Sequence, residues 1–374
     1  CRVQPEGKWL ASASFDGRVR LWSTDAIGSD RYYVLHHDDR VFDVEFDPSG
    51  RRLVSSSRDF TARVWTLPEA PPSRAAEPLE PSQVLRGHES IIWTARFSST
   101  GDRVVTASRD KGVWVWTLGE DREPSPSQRL ELDVIAWHAE FSPDDREVVI
   151  ALDDGRVLAW ELERDQTRVL ARHRDVAWIA HYSPDGRWVA SASKSGEVRL
   201  DPVVPLDVTA ASGGGLLGVH EGSVQRLSFA PDGRTLASAS HDGTARVWTF
   251  DEQDRLASVR TIETNKFALT PAFSPDGRWL AIGSVDPVVR VVELAGGLPI
   301  ELRGHTSDVF ALAFSPDGTR LVTGSHDRSV RVWSTDWSQV ARRFTSSVAP
   351  DAGGRWLVER RDDGRLRFWR IGPE

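Results

Sequence analysis

Seven tryptophans of this chain stand six residues after an aspartate, and each closes a stretch with strand character. The pairs are Asp16/Trp22, Asp59/Trp65, Asp110/Trp116, Asp154/Trp160, Asp242/Trp248, Asp327/Trp333 and Asp363/Trp369. In four of these units a histidine stands 22 residues before the aspartate: His37, His88, His220 and His305. A spacing held while the residues between drift marks one supersecondary unit copied along the chain. Such units bury their apolar faces only against each other, so the fold must be a stack or a ring of them.

Residues 303–335 serve as the type unit. Val309 to Phe314 alternates as a strand does, and Ser315-Pro316-Asp317-Gly318 is a turn with proline pre-set and glycine free to take positive φ. Leu321 to Ser325 is a second β run, His326-Asp327 opens a tight connection, and Val330 to Trp333 is a third run. A fourth, weaker run leads into the next unit, as Val84-Leu85 does before Gly87-His88. Short, evenly spaced strands with a turn between each pair predict four-stranded antiparallel blades rather than βαβ units.

The Gly-His, Pro-Asp-Gly and Asp-x5-Trp marks, in tandem over essentially all 374 residues, make the chain resemble the WD40-repeat β-propellers. The resemblance implies an all-β fold of nine WD40-like units forming one domain over residues 1–374. A single ring of nine blades is the favoured arrangement; seven or eight closed blades plus surplus units is the alternative. Units two, three, six and eight carry the full histidine, aspartate and tryptophan set. Unit four has Leu132 at the histidine place. Unit five has His173 but then Ser195 and Asp201, and unit seven has Thr264, Asp286 and Val292. Unit nine ends almost at its third strand and the N-terminus has no strand to lend it, so closure of the last edge is a difficulty. Residues 68–82, 119–127 and 201–215, rich in Pro, Glu, Ser and Gly, are expected to be flexible surface loops.

Composition narrows the function. The net charge of −8 argues against general affinity for nucleic acid. No run of 18 apolar residues occurs, so no membrane partner is expected. A single cysteine, Cys1, points to a reducing, cytoplasmic setting. The chain has no methionine and opens inside a strand, which suggests a segment of a longer polypeptide. Its arginine, alanine, glycine and valine content suggests a GC-rich, bacterial-like genome.

Repeated Asp–His pairs look like pieces of a catalytic dyad, but a catalytic constellation has no reason to recur in every blade. The resemblance implies a scaffold role instead: the aspartate accepts from the histidine ring and nearby backbone N–H groups, and a Ser or Thr links the pair to the tryptophan N–H. That set is His37/Asp59/Trp65, His88/Asp110/Trp116, His220/Asp242/Trp248 and His305/Asp327/Trp333. No cofactor is expected, since no nucleotide loop or nucleophile elbow occurs. No metal is expected either: histidines fall one to a blade, without metal-ligand spacing.

A functional signal lies in the first strand of each unit. Five residues after the histidine place stand Phe42, Trp93, Trp137, Trp178, Gln225, Leu269 and Phe310. In the resembling family this place opens onto the narrower face around the channel, where partners dock. Ile91 and Ile135 stand two residues before the first two tryptophans. Arg58, Arg109 and Lys194, each just before the turn, point to the same face. Exposed tryptophan beside arginine is the stuff of interface hot spots. The expected function is a non-catalytic protein- or peptide-binding scaffold in a larger signalling or regulatory protein. The alternative is a sensor that takes a small molecule or cation at the channel mouth. Nucleic-acid binding and enzyme activity rank below both. Rings that fill the throat and touch only one another are the bland reading of the same residues.

Overall fold

The Ser-Pro-Asp-Gly segments each close a hairpin between the first two strands of a unit. At Ser315–Gly318 the Gly318 N–H donates to the Ser315 carbonyl at 2.8 Å with φ at +68°. Asp317 Oδ1 accepts from the Ser315 hydroxyl and from the Thr319 N–H. Glycine takes this left-handed conformation without a Cβ penalty. Unit four has Asp145 there at φ +59°, and its carboxylate crosses to the neighbouring turn to accept the Ser99 N–H at 2.7 Å.

The computed structural model describes residues 2–24, 32–74, 76–204, 215–327 and 329–337, together with the backbone of strands at 349–350, 356–360 and 366–370. Nine sheets form among them. Most are four-stranded and antiparallel in simple sequence order. Blade four, for example, runs Ala136–Phe141, Glu147–Leu152, Arg156–Glu161 and Gln166–Arg172. The first strands lie side by side around a central channel: Arg2–Val3, Val41–Phe46, Ile92–Phe97, Ala136–Phe141, Ala177–Tyr182, Val224–Phe229, Ala268–Phe273 and Val309–Phe314. The eighth returns beside the first.

Ring size is where the structure departs from the favoured arrangement. Nine units are present, but eight blades close the ring. Arg2 and Val3 pair with Ala11 and Leu10, which gives blade one its innermost strand. The next blade around is then blade eight: Arg320 Nη1 donates to the Thr24 carbonyl at 3.3 Å, and the Phe15 and His326 rings meet. No gap is left for a ninth. The strands Ala349–Pro350, Trp356–Arg360 and Leu366–Arg370 form a separate sheet whose last strand runs beside Ile300–Arg303 of blade seven. The expected difficulty of closure is resolved by two residues at the N-terminus.

One of the three expected loops is also corrected, and a second holds its place on the surface through backbone bonds. Within 68–82, Glu77–Leu79 forms a fifth strand on blade one, parallel to Tyr33–His36, with the Glu77 N–H donating to the Tyr32 carbonyl at 3.0 Å. Within 119–127, the Arg122 carbonyl accepts the Val84 N–H at 2.7 Å, and the Gly119 and Asp121 carbonyls accept from the Gln83 amide. Both insertions occupy the outer edge of a blade, where free backbone groups would otherwise invite another strand. Residues 205–214, the body of the third insertion, lie outside the described residues.

The core sits between blades, and Trp65, Trp116, Trp160 and Trp248 are fully buried in it. At ~25 cal/mol per Å² over about 150–250 Å², each ring contributes about 4–6 kcal/mol. A single hydrogen bond nets only about 1 kcal/mol. Burial therefore drives blade stacking, and the polar network specifies its geometry. Trp9, Trp188 and Trp279, each heading a second strand, are buried as well.

Candidate binding face at the channel mouth

In the four complete units the polar network is continuous. His37 Nδ1 lies 2.8 Å from Asp59 Oδ2 and its Nε2 2.7 Å from Ser55 Oγ, which also accepts the Trp65 indole N–H at 2.9 Å. The same chain runs His88–Asp110 with Thr106 and Trp116, His220–Asp242 with Ser238 and Trp248, and His305–Asp327 with Thr323 and Trp333. The aspartate also accepts the backbone N–H of the residue after the histidine, as Asp327 does from Thr306 at 2.9 Å. Burial holds the rings of His37, His220 and His305 below the usual histidine range against the pull of their aspartates. In each unit these groups satisfy one another.

Blade five fills the place of its missing aspartate only in part, with a residue that the spacing argument missed, and His173 Nδ1 stays without a hydrogen bond. Glu197, two places beyond Ser195, reaches back with its longer side chain to within 3.4 Å of His173 Nδ1 and accepts the Arg174 N–H at 2.9 Å. An acidic residue two positions into the third strand was the available signal. Asp201, in the tryptophan place, pairs with Arg199 at 2.9 Å.

The first strands share a feature that sequence alone does not announce. In blades two through eight the pairing with the second strand slips by one residue, and the extra residue is Phe42, Trp93, Trp137, Trp178, Gln225, Leu269 or Phe310. A β-bulge leaves one residue unpaired and re-aims its side chain. The aromatic position is thus the bulged position in every one of those blades.

The re-aimed rings meet in series. Phe42 and Trp93 are 4.9 Å apart by ring centroid, Trp93 and Trp137 are 4.8 Å, and Trp137 and Trp178 are 4.8 Å. The series continues the other way through Phe15 to His326 and Phe310, at 5.9, 6.5 and 4.7 Å. Seven rings therefore run from blade eight through blade one to blade five. Contacts pass from ring to neighbouring ring, the order of a rim. The tryptophans are half-buried, while Phe15 is 59% and Phe310 38% exposed.

Polar anchoring along this arc is uneven. Trp137 donates to Asp153 Oδ1 at 2.9 Å and Trp178 to Ser223 Oγ at 3.0 Å, whereas the Trp93 indole N–H is buried without a partner. Ile91 is buried and Ile135 half-buried. Arg58, Arg109 and Lys194 are exposed, and their backbone N–H groups bond to the Arg40, Ile91 and Val176 carbonyls, which brings them beside the arc. Arg58 faces Asp39 at 3.7 Å and Lys194 faces Asp175 at 3.9 Å. Pairs this loose and exposed cost little to rearrange around a ligand. Deeper in the same strands, burial pushes the Glu45 carboxyl up to about 7 against the pull of Arg96 and the Phe97 N–H.

Comparison with known proteins agrees with this geometry. The family described as WD40, the WD domain or G-beta repeat, matches residues 1–23, 29–66, 79–117, 164–200, 215–249, 258–293 and 296–334. Protein hir-1 of Neurospora crassa is 32% identical over 137 residues, which is 31% of this chain and 13% of that protein. Protein HIR1 of Gibberella zeae is 31% identical over 135 residues, with the same shares. The human WD repeat and SOCS box-containing protein 1 is 30% identical over 110 residues, 29% of this chain and 24% of that protein. The chain thus spans only a minor part of the length of these relatives. Among the described residues no helix is long and apolar enough to cross a membrane. With a family match over most of its length, Asp–His–Trp networks in four of its blades and a closed ring of β-blades, the chain belongs to the WD40-repeat family of β-propellers.

Proposed function

We propose that this propeller is a non-catalytic scaffold that docks a protein or peptide on the aromatic arc, with Phe42, Trp93, Trp137 and Trp178 as its centre. The observation that carries the reading is the unbroken run of seven rings across adjacent blades, each set by a bulge or a turn. Rings of this size offer large contact area at low cost in side-chain entropy, and a preformed surface loses little to reordering on binding. Arg58, Arg109 and Lys194 at the rim favour an acidic or carbonyl-rich partner. Blades held rigid by their polar networks suit presentation of such a surface within a larger regulatory or signalling protein of the cytoplasm.

The test compares this chain with its Trp93→Ala/Trp137→Ala/Trp178→Ala variant in parallel affinity captures from cells of the source organism. Both proteins must first show the same cooperative melting curve. The expected result is a protein retained by the parent chain and lost from the variant. Identical captures, or loss of the melting transition in the variant, would overturn the assignment by showing that these rings line the throat as core.

A further inference from the structure

The first strands of blades four and five bring together a second constellation. His138 follows the bulged Trp137, Glu140 lies two places on, and His181 holds in blade five the position that Glu140 holds in blade four. His138 is 3% exposed, and neither of its ring nitrogens has a hydrogen-bond partner. Leaving a buried polar group unsatisfied costs about 1–3 kcal/mol, and the scaffold networks leave this ring without a role. Its neighbours suggest one. The His181 ring stands 4.8 Å from it by centroid at an interplanar angle of 77°. His181 Nδ1 lies 2.6 Å from Glu140 Oε2, and Glu140 Oε1 accepts the Tyr182 N–H at 3.3 Å. One donor atom from each of the three side chains can be chosen so that all lie within 4.8 Å of one another.

We propose that His138, Glu140 and His181 form a binding site for a late first-row divalent cation of the zinc class, set in the channel wall between blades four and five. Two imidazoles and one carboxylate suit Zn2+ and its neighbours in the series, whereas Ca2+ and Mg2+ need a shell of oxygens. Metal bonds of about 2.0–2.1 Å place tetrahedral ligands ~3.3 Å apart, so the widest donor separation must shrink by up to about 1.5 Å, while the His181–Glu140 contact at 2.6 Å opens to admit the ion. Glu140 is already anchored by the Tyr182 backbone, which leaves the imidazoles as the moving parts. Three protein ligands leave a fourth position open to water from the channel.

Arg96, Arg226 and Arg2 act on His138 and disfavour a cation there, but Arg96 is offset by Asp43 at 2.5 Å and Glu45 at 3.8 Å. The expectation of no metal rested on ligands spaced within one stretch of chain. Here they come from the first strands of adjacent blades, with Glu140 and His181 at the same strand position 41 residues apart and His138 two residues before Glu140.

The test uses chelator-treated protein carrying Cys1→Ser, which removes the one competing thiol. Zinc chloride is titrated by calorimetry, and the visible absorption of added Co2+ reports coordination geometry. The expected result is one equivalent bound, a melting temperature raised by the metal, and at least about tenfold weaker binding in His138→Gln and in His181→Gln. His181 is only half-buried, so its variant should fold even if that of His138 does not. Absence of stoichiometric binding, or binding unchanged in His181→Gln, would overturn the site. Neither outcome touches the docking face, since the readout involves no partner.

Discussion

With the histidine neutral and the aspartate charged, each complete polar network admits one arrangement of protons. The indole of Trp116 can only donate, so Thr106 Oγ1 accepts from it and turns its own hydrogen to His88 Nε2. His88 then carries its proton on Nδ1 and donates to Asp110. Burial alone would raise the Asp110 carboxyl, but the His88 ring and the Gly112 and Glu89 N–H groups outweigh it and hold it down at about 2. A folded value below the unfolded value of about 3.9 means stability present above pH ~4 and lost as the pH falls through ~2. Comparison with Asp110→Asn isolates this contribution. Its urea midpoint should sit below the parent's by the equivalent of about 2–3 kcal/mol at pH 6, and the gap should narrow below pH ~4 and close only as the pH falls through ~2. A gap that stays constant to low pH would mean that the carboxylate's charge is not what the network uses.

At the scale of the element, the sequence read most of the strands and missed the bulge in the first strands and the added strand on blade one. Alternation and turn residues located the second and third strands of the type unit, because half-buried strands impose a period of two. The bulge in each first strand broke that period at the aromatic position. Parity alone therefore could not say where Trp93 or Trp137 points, and the resemblance supplied the face. The insertion at 68–82 was misread for a related reason: Glu77–Leu79 is too short and too polar to signal a strand, and it becomes one only because the edge of Tyr33–His36 offers a template. Removing residues 76–80 should leave that edge's N–H and C=O groups free. The shortened protein is expected to keep its fold and to self-associate with rising concentration, which sedimentation velocity would detect. A strictly monomeric product at high concentration would show that the strand does not guard the edge.

At the scale of the molecule, ring closure decides what the termini do. Blade one is complete because Arg2–Val3 pairs with Leu10 and Ala11, and its open side meets blade eight through Thr24 and Arg320. A chain ending at residue 348 should therefore keep one cooperative melting transition within about 4 °C of the parent, whereas deletion of residues 2–24 should open the ring and broaden unfolding. If the first truncation unfolds the protein, the ninth unit belongs to the closed body after all. The sequence by itself determined the repeat, the strand count of a unit and the network that staples the four complete units, because these depend on residues within one period of each other. Only the tertiary structure decided that eight units close, that Phe15 and His326 meet to carry the aromatic arc across the junction of the chain, and that His138 faces His181. Those contacts join residues one or many blades apart, and their distances depend on the angle between stacked sheets, which no single repeat encodes.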